Sequence, residues 1–259
     1  MIAKEINGFK ILQSQRLLDL GVMHGWFGVS LGNTMRRPTM SAEETTLVKR
    51  RWERACGVLG MDTGQLVDTT GLLQTDTVQL LTKESAGQTV GKADGYVTSV
   101  PKMPIVMRSA DCMSIIIYEP DAKVMALVHA GGRGIAGNIL KNTAKTMASQ
   151  HADLTKAVVA IGPAIAPEHF IPTSEVDNFT LADMRSEMLV TTKLPDGRVG
   201  YDIVSTAQSK LEKLGIASNN IDISGIDTFS SPDFYSWERD RIRNPAISMH
   251  RNGLFAEIA

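Results

Sequence analysis

Apolar runs separated by turn residues divide the middle of the chain into short strands. The pattern predicts strands at Tyr96–Val100, Pro104–Arg108, Met113–Tyr118 and Val124–Val128. Continuous apolar runs bounded by Pro, Asp or Gly are typical of strands buried on both faces. The turn at 120–123 joins the last two strands into an antiparallel hairpin, so the residues that flank its open end are predicted to meet.

Helical periodicity is present in three further segments. Ser41, with Glu44 three residues later, predicts a capping box at the start of a helix. Other helices are predicted at Ile135–Met147 and after Asp202, whose carboxylate suits an N-cap. The apolar stripe predicted for the first helix comprises Leu47, Val48, Trp52, Ala55, Cys56 and Leu59. Cys56 on this stripe is interpreted as a core residue, because a free cysteine packs like a small hydrophobe.

The remaining segments predict a mixture of strands and loops in irregular order. We expect edge strands in 1–31, a strand at Leu72–Leu81, a loop at Lys83–Lys92, strands at Ala157–Ile161 and Ile221–Ile226, a turn at 195–197, and either a short helix or irregular structure in 172–188. Strands and helices that alternate irregularly, with hairpins among them, favour a mixed α/β (α+β) layered fold over a doubly wound nucleotide fold. No linker is evident, so 1–259 is predicted to be a single domain.

Composition and charge exclude several classes of protein. Hydrophobic residues make up 43% and charged residues 21% of the chain, and the net charge is -1, so no global field attracts nucleic acid or an anionic membrane. No apolar run approaches the ~18 residues of a membrane span, and a cytoplasmic location is predicted. The 2 cysteines cannot build a disulfide framework.

Candidate chemistry lies at the open end of the predicted hairpin. Cys112 precedes one strand and His129 follows the other. Catalytic zinc commonly has three protein ligands from His, Cys and Asp or Glu, and this pair supplies two of them. Asp111, next to the cysteine, is a candidate general base or a group that orients a metal-bound water. Taken alone, Cys112 is more typical of a buried structural thiol and His129 of a hydrogen-bonded core or loop histidine, and Asp111 also suits a turn or cap. The pairing of Cys112 with His129 is what favours a site.

A glycine-rich loop follows the histidine. Residues 131–134 lie between a predicted strand and a predicted helix, where free backbone N–H groups can hold a phosphate or a carboxylate. Arg133 is a candidate bidentate partner for such an anion, with Gly131 beside it. Glycines at this position also commonly serve only as a turn. The loop matches neither GxGxxG nor the P-loop, which argues against a dinucleotide or ATP enzyme.

Several segments together resemble the ordered motifs of a known family. The matching segments are Ala93-Asp94-Gly95 with Thr98, Ala110-Asp111-Cys112, His129-Ala130-Gly131-Gly132-Arg133-Gly134 and Gly162-Pro163-Ala164-Ile165. Their order and spacing over roughly residues 70–170 are similar to those of the YfiH-like family, also called laccase-domain or polyphenol oxidase family proteins, whose members are described as purine nucleoside phosphorylases. As a set, the motifs are far more specific than any one of them.

The resemblance implies a fold, an activity and a metal site. The fold would be the single α/β domain of the YfiH-like type, and the activity phosphorolysis of adenosine and inosine, with adenosine deamination. The family's zinc site uses His, Cys and His. Cys112 matches its cysteine ligand, His129 matches its last histidine, and Asp111 matches the acidic residue of its Ala-Asp-Cys motif.

The sequence also departs from the family at positions that matter for chemistry. The other zinc histidine lies in a Gln-Val-His-Gly motif, whereas this chain has Asp76 at that place, within Gln74-Thr75-Asp76-Thr77. Asp76, or less readily His24, would have to complete the metal site. The arginine that follows His-Gly-Phe in the family is absent, and Glu238 replaces an arginine near the C-terminus. Arg108 or Arg133 would have to compensate in binding phosphate.

Three functions remain open from the sequence. The first is a zinc-dependent enzyme acting on purine nucleosides and phosphate. The second is a family member that has lost its metal chemistry and acts as a binding protein. The third, also suggested by the family, is a hydrolase that edits peptidoglycan precursors with Cys112 as nucleophile and His129 as its partner. Copper oxidation is disfavoured, because the chain has too few histidines for several copper ligand sets. We expect a monomer or homodimer, and surface positions for His151, His169 and His250.

Overall fold

Two mixed β-sheets form the centre of the molecule in a computed structural model that describes residues 1–69, 76–171 and 190–259. The 7-stranded sheet has the order β1-β2-β3-β15-β8-β4-β6, with β1 (Ile2–Ile6), β2 (Phe9–Gln13), β3 (Val22–Phe27), β4 (Val67–Thr69), β6 (Thr89–Val90), β8 (Ile105–Ser109) and β15 (Asn252–Ile258). The 6-stranded sheet has the order β14-β11-β9-β10-β7-β5, with β5 (Val78–Leu80), β7 (Gly95–Thr98), β9 (Met113–Glu119), β10 (Val124–Ala130), β11 (Val158–Ile161) and β14 (Ile221–Ile223).

Helices and one separate hairpin complete the described structure. The hairpin pairs β12 (Val190–Lys193) with β13 (Val199–Asp202). The helices are α1 (Gln15–Asp19), α2 (Ala42–Leu59), α3 (Gly132–Ala136), α4 (Ile139–Ala148), α5 (Ile203–Lys213) and α6 (Trp237–Arg243). No helix of the described residues is both long enough and apolar enough to cross a bilayer.

The side chains of each strand alternate between two hydrophobic cores, and this alternation explains the layering. On β9, Ile116 packs with residues of the other sheet such as Trp26, whereas Ile115 faces the outer core with Leu140 of α4. A further core places Trp52 of α2 against the outer face of the larger sheet. The layers of the molecule therefore follow the order helix, sheet, sheet, helices. Because each sheet is covered on both sides, its strands are buried on both faces. The mixed α/β fold class is confirmed.

The capping residues predicted from the sequence are confirmed at two helices. Ser41 and Glu44 form the reciprocal capping box of α2, and Gly60 ends the helix with a φ of 72°. Asp202 caps α5 by accepting from the Ser205 N–H at 2.8 Å. Cys56 is fully buried in the core, and burial raises the pKa of its thiol to about 11. On the predicted stripe of α2, only Leu47 is largely exposed, at 48%.

Several predicted boundaries were wrong. The helix predicted at Ile135–Met147 is two helices, α3 and α4, because Gly137 and Asn138 interrupt it with extended and irregular backbone. The predicted loop at Lys83–Lys92 contains a 3-10 turn and β6, which pairs with β4. Within 1–31, residues Gln15–Asp19 are helical, and β3 lies inside its sheet rather than at an edge. The predictions for 172–188, and for residues 72–75 of the predicted strand at Leu72–Leu81, lie outside the described residues. In the described part of that segment, β5 is a strand as predicted.

Candidate active site

The β9–β10 hairpin brings Cys112 and His129 together at its open end, as predicted. β10 ends at Ala130, two residues beyond the predicted end at Val128. His129 therefore lies within the strand, where it pairs with Ser114. Cys112 is two residues before Ser114, in the turn that enters β9. Antiparallel register therefore places the thiol beside the imidazole.

Asp94 holds His129 from the neighbouring strand. The Asp94 carbonyl accepts the His129 backbone N–H at 2.7 Å. An Asp94 carboxylate oxygen lies 3.1 Å from His129 Nδ1, and both side chains are almost completely buried. A carboxylate on Nδ1 sets the tautomer and orientation of an imidazole and stabilises its protonated form.

The imidazole of His129 and the thiol of Cys112 line the same small cavity, close enough for the thiol to act on the pKa of the imidazole. Burial lowers the pKa of His129, but the negative charge of the Cys112 thiolate and the hydrogen bond with Asp94 outweigh burial and raise the pKa to about 9. Because Nδ1 faces Asp94, Nε2 is the nitrogen available to the thiol. The three side chains thus form a chain of contacts in the order carboxylate, imidazole, thiol.

Gly131 closes the site from the next turn. A Cβ at this position would lie 2.5 Å from Cys112 Sγ, which no side chain can tolerate, so only glycine fits without displacing the thiol. A small cavity of about 30 Å³ opens here, lined by Asp94, Cys112, His129 and residues 131–134. This volume holds about one water molecule. A larger ligand therefore has to lie at its mouth, with only its reacting atoms inside.

Asp111, predicted as a general base or as a group that orients a metal-bound water, has both carboxylate oxygens engaged in hydrogen bonds within the protein. One carboxylate oxygen accepts from the Thr228 hydroxyl at 2.7 Å, and the other accepts from the Glu238 N–H at 2.7 Å. Burial raises the pKa of Asp111 despite these bonds and one from Ser236. Asp111 therefore holds the first turn of α6, whereas the carboxylate that contacts His129 is that of Asp94.

The two arginines predicted to bind an anion have different settings. Arg108 is buried, donates to the Thr34 carbonyl at 3.0 Å, and forms an ion pair with Asp68, so its role is structural rather than phosphate binding. Arg133 lies half-buried on α3 and lines the cavity with Gly131. Of the pair, only Arg133 has a position from which it can reach a ligand at the cavity.

The described residues do not assemble the zinc site that the family implies. Cys112 and His129 meet, but among residues 1–69, 76–171 and 190–259 no three His, Cys, Asp or Glu side chains converge on one point that could hold a metal ion. Asp76, the suggested third ligand, lies just before β5. The carbonyl of the next residue, Thr77, accepts the Asp94 N–H at 3.0 Å. Asp76 itself does not line the cavity. Cys112 and His129 are two ligands, whereas a catalytic zinc ion commonly has three protein ligands.

His24 cannot replace the missing ligand either. Its Nδ1 bonds to the Val22 carbonyl at 2.9 Å and its Nε2 accepts the Ser14 N–H at 2.8 Å. Burial lowers the pKa of His24 to about 4, so the ring is neutral. With both nitrogens bonded to the backbone, it is a structural core histidine.

Sequence reasoning gave no role to Asp94 or to Arg251. Asp94 precedes β7, and only the pairing of β7 with β10 places it beside His129. The sequence feature that could have indicated this role is the position of Asp94, a carboxylate directly before the strand that pairs with the hairpin. Arg251 is partly buried; burial lowers its pKa, and the negative charges of Cys112 and Asp111 oppose this effect. No local pattern around Arg251 indicates this.

Comparison with known families decides the relationship that the geometry suggests. Residues 21–245 match the family model described as "Multi-copper polyphenol oxidoreductase laccase". The chain belongs to this family. Members of this laccase-like family include the protein named YfiH, and the resemblance inferred from the motifs is confirmed.

Relatives and solved structures agree with the family assignment. The chain is 26% identical to a purine nucleoside phosphorylase of Rickettsia prowazekii over 65% of this chain and 69% of that protein. The crystal structure of YlmD from Geobacillus stearothermophilus matches with a TM-score of 0.82 at 22% identity, over 98% of this chain and 97% of that one. The Bacillus licheniformis hypothetical protein YfiH matches with a TM-score of 0.79 at 20% identity, over 98% and 100%. These structures show that the fold is shared.

Proposed function

We propose that this chain is an enzyme that cleaves purine nucleosides by phosphorolysis at the cavity between Asp94, Cys112 and His129. The names of its relatives support the reaction class. The observation that carries the proposal is the carboxylate–imidazole–thiol arrangement, in which buried Asp94 and partly buried Cys112 raise the pKa of His129 beside a glycine-rich loop and Arg133.

The chemistry of phosphorolysis needs what these residues offer. A phosphate oxygen forms a bond to C1′ of the ribose while the bond from C1′ to N9 of the purine breaks. The products are ribose 1-phosphate and the free base, and the leaving base takes up a proton. An acid near the base lowers this barrier. His129, held by Asp94, supplies that acid, and Arg133 stabilises charge on the approaching phosphate.

The test is direct turnover. Inosine and phosphate should give hypoxanthine and ribose 1-phosphate, and chromatography detects both products. The variants Cys112→Ala and His129→Gln should each lower kcat/KM by about 100-fold or more. Cys56→Ala is the matched control, because Cys56 lies in the core under α2 and should leave turnover intact. A parent protein that turns over no purine nucleoside with phosphate would contradict the proposal and favour the binding-protein alternative.

Zinc dependence and adenosine deamination stay predictions. The described residues supply two zinc ligands, and the roles proposed for His129 and Arg133 do not require a metal. Elemental analysis of untagged parent protein and of Cys112→Ala tests the metal: stoichiometric zinc in the parent that is lost in the variant would establish it. If the protein deaminates adenosine, it should form inosine from adenosine without added phosphate. Absence of inosine would contradict the predicted deaminase activity.

A cysteine hydrolase is the second candidate, and one observation favours it. The order carboxylate, imidazole, thiol is that of a cysteine nucleophile with its base and orienting acid. Rapid alkylation of Cys112 by iodoacetamide at neutral pH, blocked by a muropeptide and not by inosine, would support this function. Cys56 is the internal reference, because burial raises the pKa of its thiol to about 11 and should leave it unreactive.

A further inference from the structure

Asp111 has an unusual backbone conformation for a buried residue. Its φ is 79°, in the left-handed region that side chains rarely adopt. Within the part of the chain that the structure describes, the other non-glycine residues with positive φ are all exposed: Asn7, Lys102, Lys123 and His151. Asp111 is 6% exposed and directly precedes Cys112. A strained backbone persists only where the surrounding structure holds it, and such residues cluster at functional sites.

Three contacts from distant parts of the chain hold this turn. The Thr228 hydroxyl donates to one carboxylate oxygen of Asp111 at 2.7 Å, and the Glu238 N–H donates to the other at 2.7 Å. The Ile165 N–H donates to the Asp111 carbonyl at 2.9 Å. The side chain and the carbonyl of Asp111 are thus both fixed from outside their own strand. These contacts offset the free energy cost of the left-handed conformation.

Thr228 is itself held firmly enough to act as a support. It is 1% exposed, and its backbone N–H donates to the Ala164 carbonyl at 3.0 Å. Its own carbonyl accepts from the Arg239 guanidinium at 3.0 Å. Of the three contacts to Asp111, that of Thr228 is made by a side chain. It can therefore be removed by a substitution that leaves the backbone in place.

The conformation of Asp111 decides where the Cys112 side chain lies, because a change in the dihedral angles of one residue redirects the next. Cys112 packs so closely against Gly131 that a Cβ on the glycine would lie 2.5 Å from Sγ and 3.5 Å from the cysteine Cβ. The same point lies 3.9 Å from Cε1 of His129. The thiol and the imidazole therefore meet around Gly131. A displacement of about 1 Å at such a group can cost about 100-fold in rate.

We infer that Thr228 is a positioning residue for Cys112. Its hydroxyl keeps Asp111 in the left-handed conformation, and this conformation places the thiol against Gly131 and beside the imidazole. The expected effect on turnover rests on the proposed function, whereas the effect on the position of the thiol does not. The inference also gives a role to the segment 162–165, which the chemistry above does not use, because Ile165 holds the carbonyl of the same turn.

NMR of the full-length protein tests the position of the thiol without any substrate. In the parent, a nuclear Overhauser effect (NOE) should join the β-hydrogens of Cys112 to the α-hydrogens of Gly131. Thr228→Val should remove this NOE, because a buried oxygen of Asp111 loses its donor and the turn relaxes. Thr228→Ser keeps the hydroxyl and should keep the NOE. Thr206→Val is the matched control, since Thr206 is equally buried and donates to a backbone carbonyl at 2.6 Å at the start of α5.

Kinetics with inosine and phosphate test the consequence for turnover. Thr228→Val should lower kcat by about tenfold and leave KM for inosine within about twofold, because it moves a reacting group rather than the bound substrate. Thr228→Ser and Thr206→Val should keep kcat within about twofold of the parent, because both leave the hydroxyl contact to Asp111 in place. Thermal unfolding shows whether each variant is folded. The contrast between the two valine variants separates positioning from a general loss of stability.

Two substitutions of Asp111 separate its backbone conformation from its carboxylate, and they also serve if Thr228→Val does not fold. Glycine adopts a positive φ without strain, whereas alanine does not. Asp111→Gly should therefore keep the NOE between Cys112 and Gly131, and Asp111→Ala should lose it. Adding Thr228→Val to Asp111→Gly should change neither the NOE nor kcat further.

The outcomes separate the positioning role from the proposed function. An unchanged NOE in folded Thr228→Val, or equal loss of the NOE in Asp111→Gly and Asp111→Ala, would overturn the positioning role. In an active protein, loss of the NOE in Thr228→Val with kcat unchanged would overturn it as well. A parent that cleaves no nucleoside but shows the expected pattern of NOEs would uphold the position of the thiol and reject the proposed function.

Discussion

Asp94 binds His129 at two points, through its carbonyl to the backbone N–H at 2.7 Å and through its carboxylate, 3.1 Å from Nδ1. The first contact belongs to strand pairing and the second to the site. This arrangement ties the position of the imidazole to the sheet. A change in the carboxylate alone therefore tests chemistry without removing the backbone contact.

Asp94→Asn should lower kcat by about 10- to 100-fold, because the amide keeps the shape of the carboxylate but cannot stabilise an imidazolium. The backbone contact to His129 is retained, so the protein should remain folded. Steady-state kinetics with inosine and phosphate give the measurement. The control is Asp121→Asn, which changes an exposed carboxylate that pairs with Lys156 far from this site. Equal kcat in parent and Asp94→Asn would show that Asp94 does not act through His129.

The raised pKa of His129 predicts a pH dependence of stability. A folded-state pKa of about 9 against an ordinary 6.5 means that protonation stabilises the folded state. This contribution is complete below pH 6.5 and is lost as the pH rises through 9, on the order of 1 to 3 kcal/mol. Urea unfolding between pH 6 and 10 measures it.

Cys112→Ala should reduce this pH dependence, because it removes the thiolate that favours the imidazolium. NMR titration of the His129 ring should then show a lower pKa than in the parent. His151→Asn, at an exposed position, serves as control. An unchanged His129 titration in Cys112→Ala would contradict the pairing of thiol and imidazole.

Gly131→Ala should displace the Cys112 thiol, because the new Cβ would lie 2.5 Å from Sγ. We expect a loss of stability of about 1 to 3 kcal/mol and a matching loss of turnover. Gly57→Ala is the opposite control, since nothing lies within 4 Å of a Cβ there and the helix α2 gains a better helix former. Thermal unfolding of both variants checks the contrast. A stable, active Gly131→Ala protein would mean that the thiol has room to move.

Arg108→Met should destabilise the protein by about 3 kcal/mol, because it removes a buried partner of Asp68 and leaves part of that charge uncompensated. Arg198→Met removes an exposed pair with Asp196 and should change stability little. Chemical unfolding compares them. Among folded molecules, Arg108→Met should bind phosphate like the parent; a specific loss of phosphate binding would restore Arg108 as an anion ligand.

The sequence alone determined the local structure around the site. The apolar runs and the turn at 120–123 specify the β9–β10 hairpin, and its register follows from the turn and from the two-residue side-chain period. The meeting of Cys112 and His129 is therefore a local property of the chain. The same holds for the capping box of α2 and for Cys56 on its buried stripe, because caps and helical periodicity involve residues within a few positions of each other.

Only the tertiary structure decided which charged groups serve that pair. Asp94 reaches His129 across a strand pairing, Asp111 turns to Thr228 and Glu238, and Arg108 is used by Asp68. The Arg251 N–H donates to the Asn33 side chain, a contact between two distant segments that the sheet brings together. Charged side chains carry no periodic signal, and their partners depend on long-range packing that a local pattern does not contain. The hairpin could thus be read from the chain, whereas its electrostatic surroundings had to be seen in three dimensions.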